Sequence, residues 1–191
     1  MRHTVAVLAV VLTCALGGRP AAAVSPSIPV VGVVDFYAAT PLGSFEGTSL
    51  ERFAADDLSD QLVRTGMGRV AVASRRSVRQ AEVSLGWRTD DALRFDRLRA
   101  LARSIGADQI VVGWITRLAV DGGGSDAGGP PSAGASVVVQ VFDAASGQIV
   151  SSVSESASTF LGTRAVMAER TLHVALSPTV AGLLVTLARV P

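Results

Sequence analysis

The spacing of apolar residues in the first third of the chain predicts a buried strand followed by a helix. Residues 28–36 form an almost continuous apolar run rich in β-branched side chains, which is typical of a strand covered on both faces. Thr48 or Ser49 can cap a helix running to about Thr65, and Gly66 and Gly68 end it. The apolar stripe of this helix consists of Leu50, Phe53, Ala54, Leu58 and Leu62.

Two further helices are predicted before the middle of the chain. Residues 69–73 alternate as a short strand, after which Ser74 caps a helix that runs to about Val83. Thr89 is placed to cap the next helix, and Gly106 ends it. The core positions of that helix are Leu98, Leu101, Ala102 and Ile105.

The second half of the chain predicts three strands. Residues 109–120 form a long strand, and residues 136–142 and 148–154 form a hairpin. In the long strand the side chains that share one face are Ile110, Val112, Trp114 and Leu118. Residues 121–134 are rich in glycine and proline and predict a flexible loop, and residues 156–163 predict a shorter connection.

A helical stripe from Ala165 to Leu187 predicts a terminal helix. Ser177 and Pro178 are expected to interrupt it, since serine is a good N-cap and proline suits the first helical position.

The first 23 residues are predicted to be a secretory signal peptide. A short polar start precedes an apolar run from Val5 to Leu16 and a stretch of small residues. The run is shorter than the roughly 20 residues that cross a bilayer. Cleavage after Ala23 leaves residues 24–191 as one extracytoplasmic, periplasmic domain.

A second interpretation makes Cys14 a lipidation site, because the residues before it loosely resemble the sequence that lipoprotein signal peptidase cuts, although Thr13 fits poorly there. Association with the outer membrane would then follow from lipidation or from a partner. If cleavage follows Ala23 instead, the mature chain has no cysteine, which excludes disulfides and thiol chemistry.

Composition excludes several kinds of chemistry. The chain is 49% hydrophobic and 17% charged, which is typical of a globular domain. All 17 basic residues are arginines, which excludes a Walker-type phosphate loop and lysine chemistry. Cys14, His3 and His173 are too few for a zinc site, and neither a metal nor a cofactor is predicted.

Charge is distributed unevenly along the chain. Residues 35–60 carry six acids against Arg52, whereas residues 64–103 carry ten arginines against four acids. If these segments face different sides of the domain, their opposite fields favour salt-sensitive head-to-tail contacts between copies. The candidate partner-binding residues are Arg75, Arg76, Arg79, Arg94, Arg97 and Arg103. A solvated helix surface is the alternative, and nucleic acid is not predicted because few aromatic residues interleave with the arginines.

Catalysis has weak support. His173 could act as a general base for a serine, but no G-x-S-x-G sequence accompanies it. The acid pairs Asp56–Asp57 and Asp90–Asp91 fit solvated helix positions better than a carboxylate dyad. The glycines at 122–129 open no predicted helix, so they lack the amide groups of a phosphate site.

The two tryptophans have different expected roles. Trp114 is predicted to lie in the core, because apolar residues share its strand face. Trp87 follows Leu85 and Gly86 in a loop, where it either covers the core or contacts a partner.

Several short stretches in this order resemble the CsgG-like family. They are Val33–Phe36, Gly47 before a helix, Gly68–Val70, Ser104–Gly113, Val141–Asp143 and Ser146–Val150. The resemblance covers roughly residues 28 to 189. The family includes the curli secretion channel subunit, lipoprotein activators of penicillin-binding proteins and, more distantly, the amino-terminal domain of TolB.

The resemblance implies a single three-layer α/β domain with a mixed central sheet flanked by helices. It also implies a non-enzymatic role in envelope assembly, secretion or partner activation, through contacts with an envelope protein or with a second copy. A subunit of an outer-membrane secretion channel is the alternative. We expect no pore, because a membrane hairpin needs two alternating strands of about 9 to 11 residues, which residues 121–134 and 156–163 do not contain. A hydrolase using His173 is the third hypothesis.

Overall fold

A computed structural model describes residues 28–38, 44–45, 48–121, 130–160 and 162–187. The predicted signal peptide, Cys14 and glycines 122–129 lie outside these residues. The elements, in chain order, are β1 (Val30–Val33), β2 (Tyr37–Ala38), β3 (Ser44–Phe45), β4 (Thr48–Ser49), α1 (Leu50–Thr65), β5 (Ala71–Val72), α2 (Arg75–Ser84), α3 (Phe95–Ile105), β6 (Gln109–Asp121), β7 (Ser132–Asp143), β8 (Gln148–Phe160) and α4 (Arg164–Leu187). A 3-10 helix, Thr89–Leu93, precedes α3.

Most strands belong to one mixed sheet in the order β5–β1–β6–β7–β8. β1 pairs in parallel with β5 and with β6, and β2 pairs in parallel with β6 beyond the end of β1. β6 pairs antiparallel with β7, and β7 pairs antiparallel with β8. β3 and β4 form a separate antiparallel pair. The large sheet therefore has a parallel half near β1 and an antiparallel half that ends at β8.

Helices cover the two faces of this sheet. α1 and α4 pack on one face, where Val31, Val111 and Val139 contribute to the larger buried cluster. α2 and α3 pack on the other face, around Ile110 and Phe142. The predicted three-layer α/β fold with a mixed central sheet is confirmed.

The starts of α1 and α2 also agree with the sequence. The hydroxyl of Ser49 accepts a hydrogen bond from the backbone N–H of Arg52 at 3.4 Å, and Ser74 accepts one from the N–H of Ser77 at 3.1 Å. These bonds satisfy backbone donors that the first turn of a helix leaves free.

Thr89, in contrast, does not cap α3. It opens the 3-10 helix, and the chain becomes extended at Arg94 before α3 begins at Phe95. The side chain of Asp91 causes this early turn, since its carboxylate accepts hydrogen bonds from the N–H of Arg88 at 2.9 Å and from the guanidinium of Arg97 at 2.9 Å.

The prediction that Leu118 shares a face with Trp114 is wrong. The pairing of β6 with β7 shifts by one residue between Ile115 and Arg117. Such a bulge reverses the direction of every later side chain. Leu118 therefore packs toward α1 and α4, whereas Trp114 packs toward α2 and α3.

Two predicted connections are shorter than expected because their residues extend strands. Residues 132–134, the end of the predicted loop 121–134, belong to β7 and pair with residues 119–121. Residues 156–160 belong to β8 and pair with the start of β7. In both stretches small residues alternate with serine, so the strand period is present with little hydrophobic contrast to reveal it.

The predicted interruption at Ser177 and Pro178 is also wrong, because α4 continues through both residues. The Ser177 hydroxyl donates to the carbonyl of His173 at 2.9 Å instead of capping a new helix. Leu176, Val180 and Leu183 are buried on both sides of the proline, and this burial outweighs the missing N–H. By length and composition α4 could cross a membrane, but half of its most apolar window is buried in this domain.

Candidate functional site

A large cavity among the described residues lies on the sheet face that carries α2 and α3, where these helices end and leave β7 uncovered. Its volume is about 880 Å³. We call it the aromatic cleft; its apolar wall consists of Tyr37, Ala38, Leu93, Trp114, Ile115 and Val138, and its polar members are Arg88, Asp90, Thr116 and Gln140. Mainly apolar walls with a few polar groups are typical of binding sites.

The aromatic groups of the cleft are positioned by β2. Tyr37 pairs with Trp114 across β2 and β6, and their ring centroids are 6.4 Å apart. The indole N–H of Trp87 donates to the Tyr37 hydroxyl at 2.7 Å. Burial raises the pKa of Tyr37 to about 12, so this side chain stays neutral and keeps its hydroxyl proton at physiological pH.

The prediction for Trp114 therefore needs correction. Its ring packs against the core cluster of α2 and α3, but it is only partly buried and lines the cleft. β2 is two residues long and the helix layer stops short of β7, so nothing among the described residues closes over the indole. Trp87 packs against the same cluster while bonding to Tyr37, which agrees with the interpretation that it covers the core.

A second group, which we call the acid–arginine cluster, consists of Asp35, Asp56, Arg75, Arg79 and Glu82. The guanidinium of Arg75 binds the Asp35 carboxylate, the Val33 carbonyl oxygen and, at 2.8 Å, Asp56. Arg79 donates to both carboxylate oxygens of Asp56 at 2.7 and 2.8 Å.

These pairs bear on the hypothesis of head-to-tail contacts between copies, which requires the acidic and arginine-rich segments to face different sides of the domain. α1 and α2 do lie on opposite faces of the sheet. However, β5 is only two residues long, and side chains of both helices meet beside it at the carboxyl end of β1. Their charges compensate each other within the domain, which weakens the opposite fields that the head-to-tail contacts require.

Glu82 is the unusual member of the cluster. Burial, followed by the nearby Asp35 charge, raises its pKa to about 7. Its Oε1 atom is buried and has no hydrogen-bond partner among the described residues. The side chain lines a smaller cavity of about 430 Å³ beside the aromatic cleft, and Tyr37 and Arg88 contribute to both.

The other candidate arginines have different environments. Arg97 donates to Asp91 at 2.9 Å and to the Leu85 carbonyl at 2.7 Å, and its hydrogen bond lowers the pKa of Asp91. Arg94 pairs with Asp96 at 3.0 Å. Arg76 and Arg103 are exposed, and within the described ranges neither makes an ion pair. The six arginines therefore do not form one continuous free surface.

His173 lies on α4 beside α1, with its side chain about half exposed. Its Nδ1 atom is 2.9 Å from an Asp57 carboxylate oxygen and 3.2 Å from the Gln61 amide nitrogen. Ser177 is one turn away, but its hydroxyl bonds to the backbone of His173 and not to the ring. In the part of the chain that is described, neither a serine–imidazole pair nor a group of ligands suited to a metal occurs.

Sequence reasoning missed the aromatic cleft and the Glu82 cavity. Tyr37 lies outside the strands and helices that the sequence predicts, and its pairing with Trp114 spans 77 residues of sequence. The available signal was an aromatic residue directly after a buried strand, followed by the chain's only two tryptophans.

Comparison with known proteins supports the fold. No protein-family model matches the sequence, and no curated protein matches it either. Among solved structures, the hypothetical protein CT253 of Chlamydia trachomatis superposes with a TM-score of 0.54 at 16% identity, covering 84% of this chain and 98% of that one. Lipoprotein GNA1162 of Neisseria meningitidis gives 0.54 at 13% identity, covering 81% and 97%.

A third structure is more distant. LpoB of Escherichia coli gives a TM-score of 0.48 at 14% identity, with 84% of each chain covered. The first two likenesses establish a shared fold. Membership of the CsgG-like family stays a prediction.

Proposed function

We propose that this protein is a non-catalytic, extracytoplasmic domain of the cell envelope that acts by binding another protein. The aromatic cleft is the observation that supports this function most directly. Its walls offer exposed apolar area next to Arg88 and Asp90, a combination that suits an aromatic or aliphatic side chain flanked by a charge. Partly exposed aromatic residues and arginine are the residue types that dominate binding energy at protein interfaces.

The polar groups around the cleft do not favour a reaction. Tyr37 keeps its hydroxyl proton because its pKa is raised. The charged residues that line the cleft are Arg88 and Asp90, and neither a histidine nor a cysteine is among its described lining residues. General acid–base catalysis needs a group that exchanges its proton near the working pH and touches the reacting atoms. Glu82 titrates in that range, but it lies in the neighbouring cavity.

The proposed location outside the cytoplasm rests on the signal peptide that the sequence predicts for residues 1–23. One structure of the same fold, GNA1162, is named a lipoprotein, which agrees with a domain that works outside the cytoplasm. Lipidation of Cys14 and cleavage after Ala23 remain the two alternatives for the mature amino terminus. The mass of the mature protein distinguishes them.

Site-specific photo-crosslinking in the cells that make the protein tests the proposed contact. A photoreactive amino acid replaces Leu93, which is 69% exposed in the cleft wall. We expect one discrete adduct, whose mass identifies the partner. Arg88→Glu should weaken the adduct, because it reverses a charge at the rim.

Val63 provides the matched control, since it is 55% exposed on α1, on the opposite face of the sheet. The same photoreactive group at Val63 should give no such adduct. Equal adducts at both positions, or none at Leu93, would show that the cleft is not the contact.

A further inference from the structure

β8 is the long edge of the sheet and has no neighbour on its outer side among the described residues. Its 13 residues contain no proline and one charged side chain, Glu155, and they extend about 40 Å. Proteins that stay monomeric usually protect such an edge with charges, prolines, a short strand or a covering element. Among the described residues the β8 edge is long and uncovered, and Glu155 is its one charge.

From Val174 to Val185, one turn after the exposed Arg170, α4 presents an uncharged flank beside the same edge. A Cβ atom added at Gly182 would lie 3.4 Å from the Val153 side chain, so this flank of the helix adjoins β8. The opposite flank adjoins α1, where His173 meets Asp57. The exposed residues toward β8 recur at three- and four-residue spacing and are Val174, Pro178, Ala181, Gly182 and Val185. We call β8 and these residues the β8 corner.

We propose that the β8 corner pairs with the β8 corner of a second copy of this chain. The two β8 strands run antiparallel about a two-fold axis perpendicular to the sheet, so that one continuous sheet crosses the dimer. This arrangement is isologous, because each copy offers the same surface to the other. Both α4 helices then lie on the same face of the joined sheet.

The spacing of the layers fits such a pair. α4 packs across β7 and β8, so its axis lies about half a strand spacing inside β8. The two-fold axis lies midway between the two β8 strands, which is half a strand spacing outside each of them. The two α4 axes are therefore about two strand spacings apart, roughly 10 Å, which is an ordinary distance between packed helices. Ala181 and Gly182 allow this approach, because they carry little or no side chain.

The side chains of β8 are also compatible with self-pairing. The residues facing away from α4 include Ser152, Ser154 and Ser156, all exposed. The hydroxyls of Ser136 and Ser156 already bond across β7 and β8 at 2.9 Å, and the same contact can form across the axis. An axis near Ser154 places Glu155 opposite Val153 of the partner subunit, so like charges do not face each other.

A second copy fits this corner better than a bound peptide. An extended peptide would pair with the strand and leave the α4 flank exposed. A second copy covers the strand and the helix together, at the spacing described above. Stable interfaces bury at least about 1,000 Å², which a strand pair alone reaches less easily than a strand pair with two helices.

Sedimentation velocity measures the proposed dimer directly. We expect the wild-type protein to be a dimer at micromolar concentration. Ser152→Lys combined with Ser156→Lys should weaken the dimer at least about tenfold, since an axis near Ser154 brings these lysines opposite each other. Both positions are exposed in the single chain, so circular dichroism and thermal unfolding at low concentration should be nearly unchanged.

Cysteine crosslinking tests the geometry in a Cys14→Ser background. Single cysteines at Ser152, Ser154 and Ser156 scan the position of the axis. The position nearest the axis should form an intermolecular disulfide rapidly, because directly opposed residues lie within disulfide reach. Ser136→Cys is the control: it is on the same face one strand further in, so it lies at least three strand spacings from Ser136 of the partner subunit.

Three results would contradict the proposal. They are a wild-type monomer at high micromolar concentration, a dimer that keeps its affinity in the double lysine variant, and crosslinking at Ser136 as fast as at the best β8 position. The β8 serines face the same side of the sheet as the aromatic cleft, where the Gln140 amide donates to Ser152 at 3.5 Å. The Leu93 crosslinking test keeps these serines unchanged, so its outcome and the outcome of the dimer test are independent.

Discussion

The two edges of the central sheet differ in length and in charge. β5 is two residues long and is flanked by the acid–arginine cluster, in which Arg75 joins Asp35 and Asp56. β8 is 13 residues long and carries one charged side chain. The first edge is short and surrounded by compensated charge, whereas the second leaves a long row of backbone groups without a neighbour among the described residues.

This difference shows where an interaction surface can be expected. The arginine-rich segment was the predicted partner-binding region, but Arg75 and Arg79 form ion pairs with acids of the same domain. The serine-rich strand β8 was not predicted as a binding surface, because serines and small residues give little hydrophobic contrast. In this molecule the stretch with few charges, and not the stretch with many, offers the surface suited to self-association.

The largest predicted effect is on the charged edge. Arg75→Ala should lower the free energy of unfolding by about 3 kcal/mol, because the side chain is only 14% exposed. Its loss removes the hydrogen-bonded arginine of Asp35 and a donor to the Val33 carbonyl oxygen, and it leaves Asp56 with Arg79 alone. The measurement is denaturant unfolding with and without Arg75→Ala in the double lysine variant of β8. The dimer is weakened in that variant, so the difference in unfolding free energy does not include association.

Arg76→Ala is the matched control for Arg75→Ala. Arg76 is the next residue on α2, but it is exposed and forms no ion pair within the described ranges. Its removal should change the free energy of unfolding by less than about 0.5 kcal/mol. Equal losses for the two variants would mean that the cluster does not stabilise this edge.

A smaller effect is expected from pH at Glu82. Its pKa is raised from 4.5 to about 7, so the folded protein holds a proton that the unfolded chain releases. The resulting stabilisation is complete below pH 4.5 and is lost as pH rises through 7. With a discount for its partial exposure, this loss is about 1 to 2 kcal/mol. Glu82→Gln should remove this part of the slope between pH 5 and 8.

The pH experiment has an internal control. Asp35, Tyr37, Arg75 and Arg79 surround Glu82 and remain in the glutamine variant. A slope that persists in Glu82→Gln would assign the effect to other groups. An unfolding free energy that rises between pH 5 and 8 because of Glu82 would contradict the raised pKa.

Local signals predicted much of the fold. Ser49 and Ser74 cap helices as expected, because capping depends on residues within one turn. The apolar run at 28–36 contains β1, although the strand is shorter than the run. Features that depend on distant neighbours were missed, such as the bulge in β6 that turns Leu118 to the other face.

The candidate site was harder to predict than the fold. The pairing of Arg75 with Asp35 and Asp56 joins residues 40 and 19 positions apart, and nothing in either local sequence selects the partner. The same holds for Tyr37, Trp87 and Trp114, which meet only because β2 pairs with β6. Charge counts gave the sign of each segment correctly but could not show that the two segments neutralise each other.

The smallest predicted effect is the response of the dimer to salt. Raising the salt concentration from about 50 mM to about 500 mM shortens the Debye length from roughly 14 Å to 4 Å, which weakens contacts between exposed charges. Pairing at the β8 corner brings mainly serines and apolar residues together, with Glu155 opposite Val153 of the partner subunit, so its dissociation constant should change less than about twofold. Arg76→Glu and Arg103→Glu, at exposed sites away from β8, should also leave it unchanged. A dimer that dissociates with added salt, or with either reversal, would move the contact to the arginine-bearing helices and contradict the distinction between the two edges.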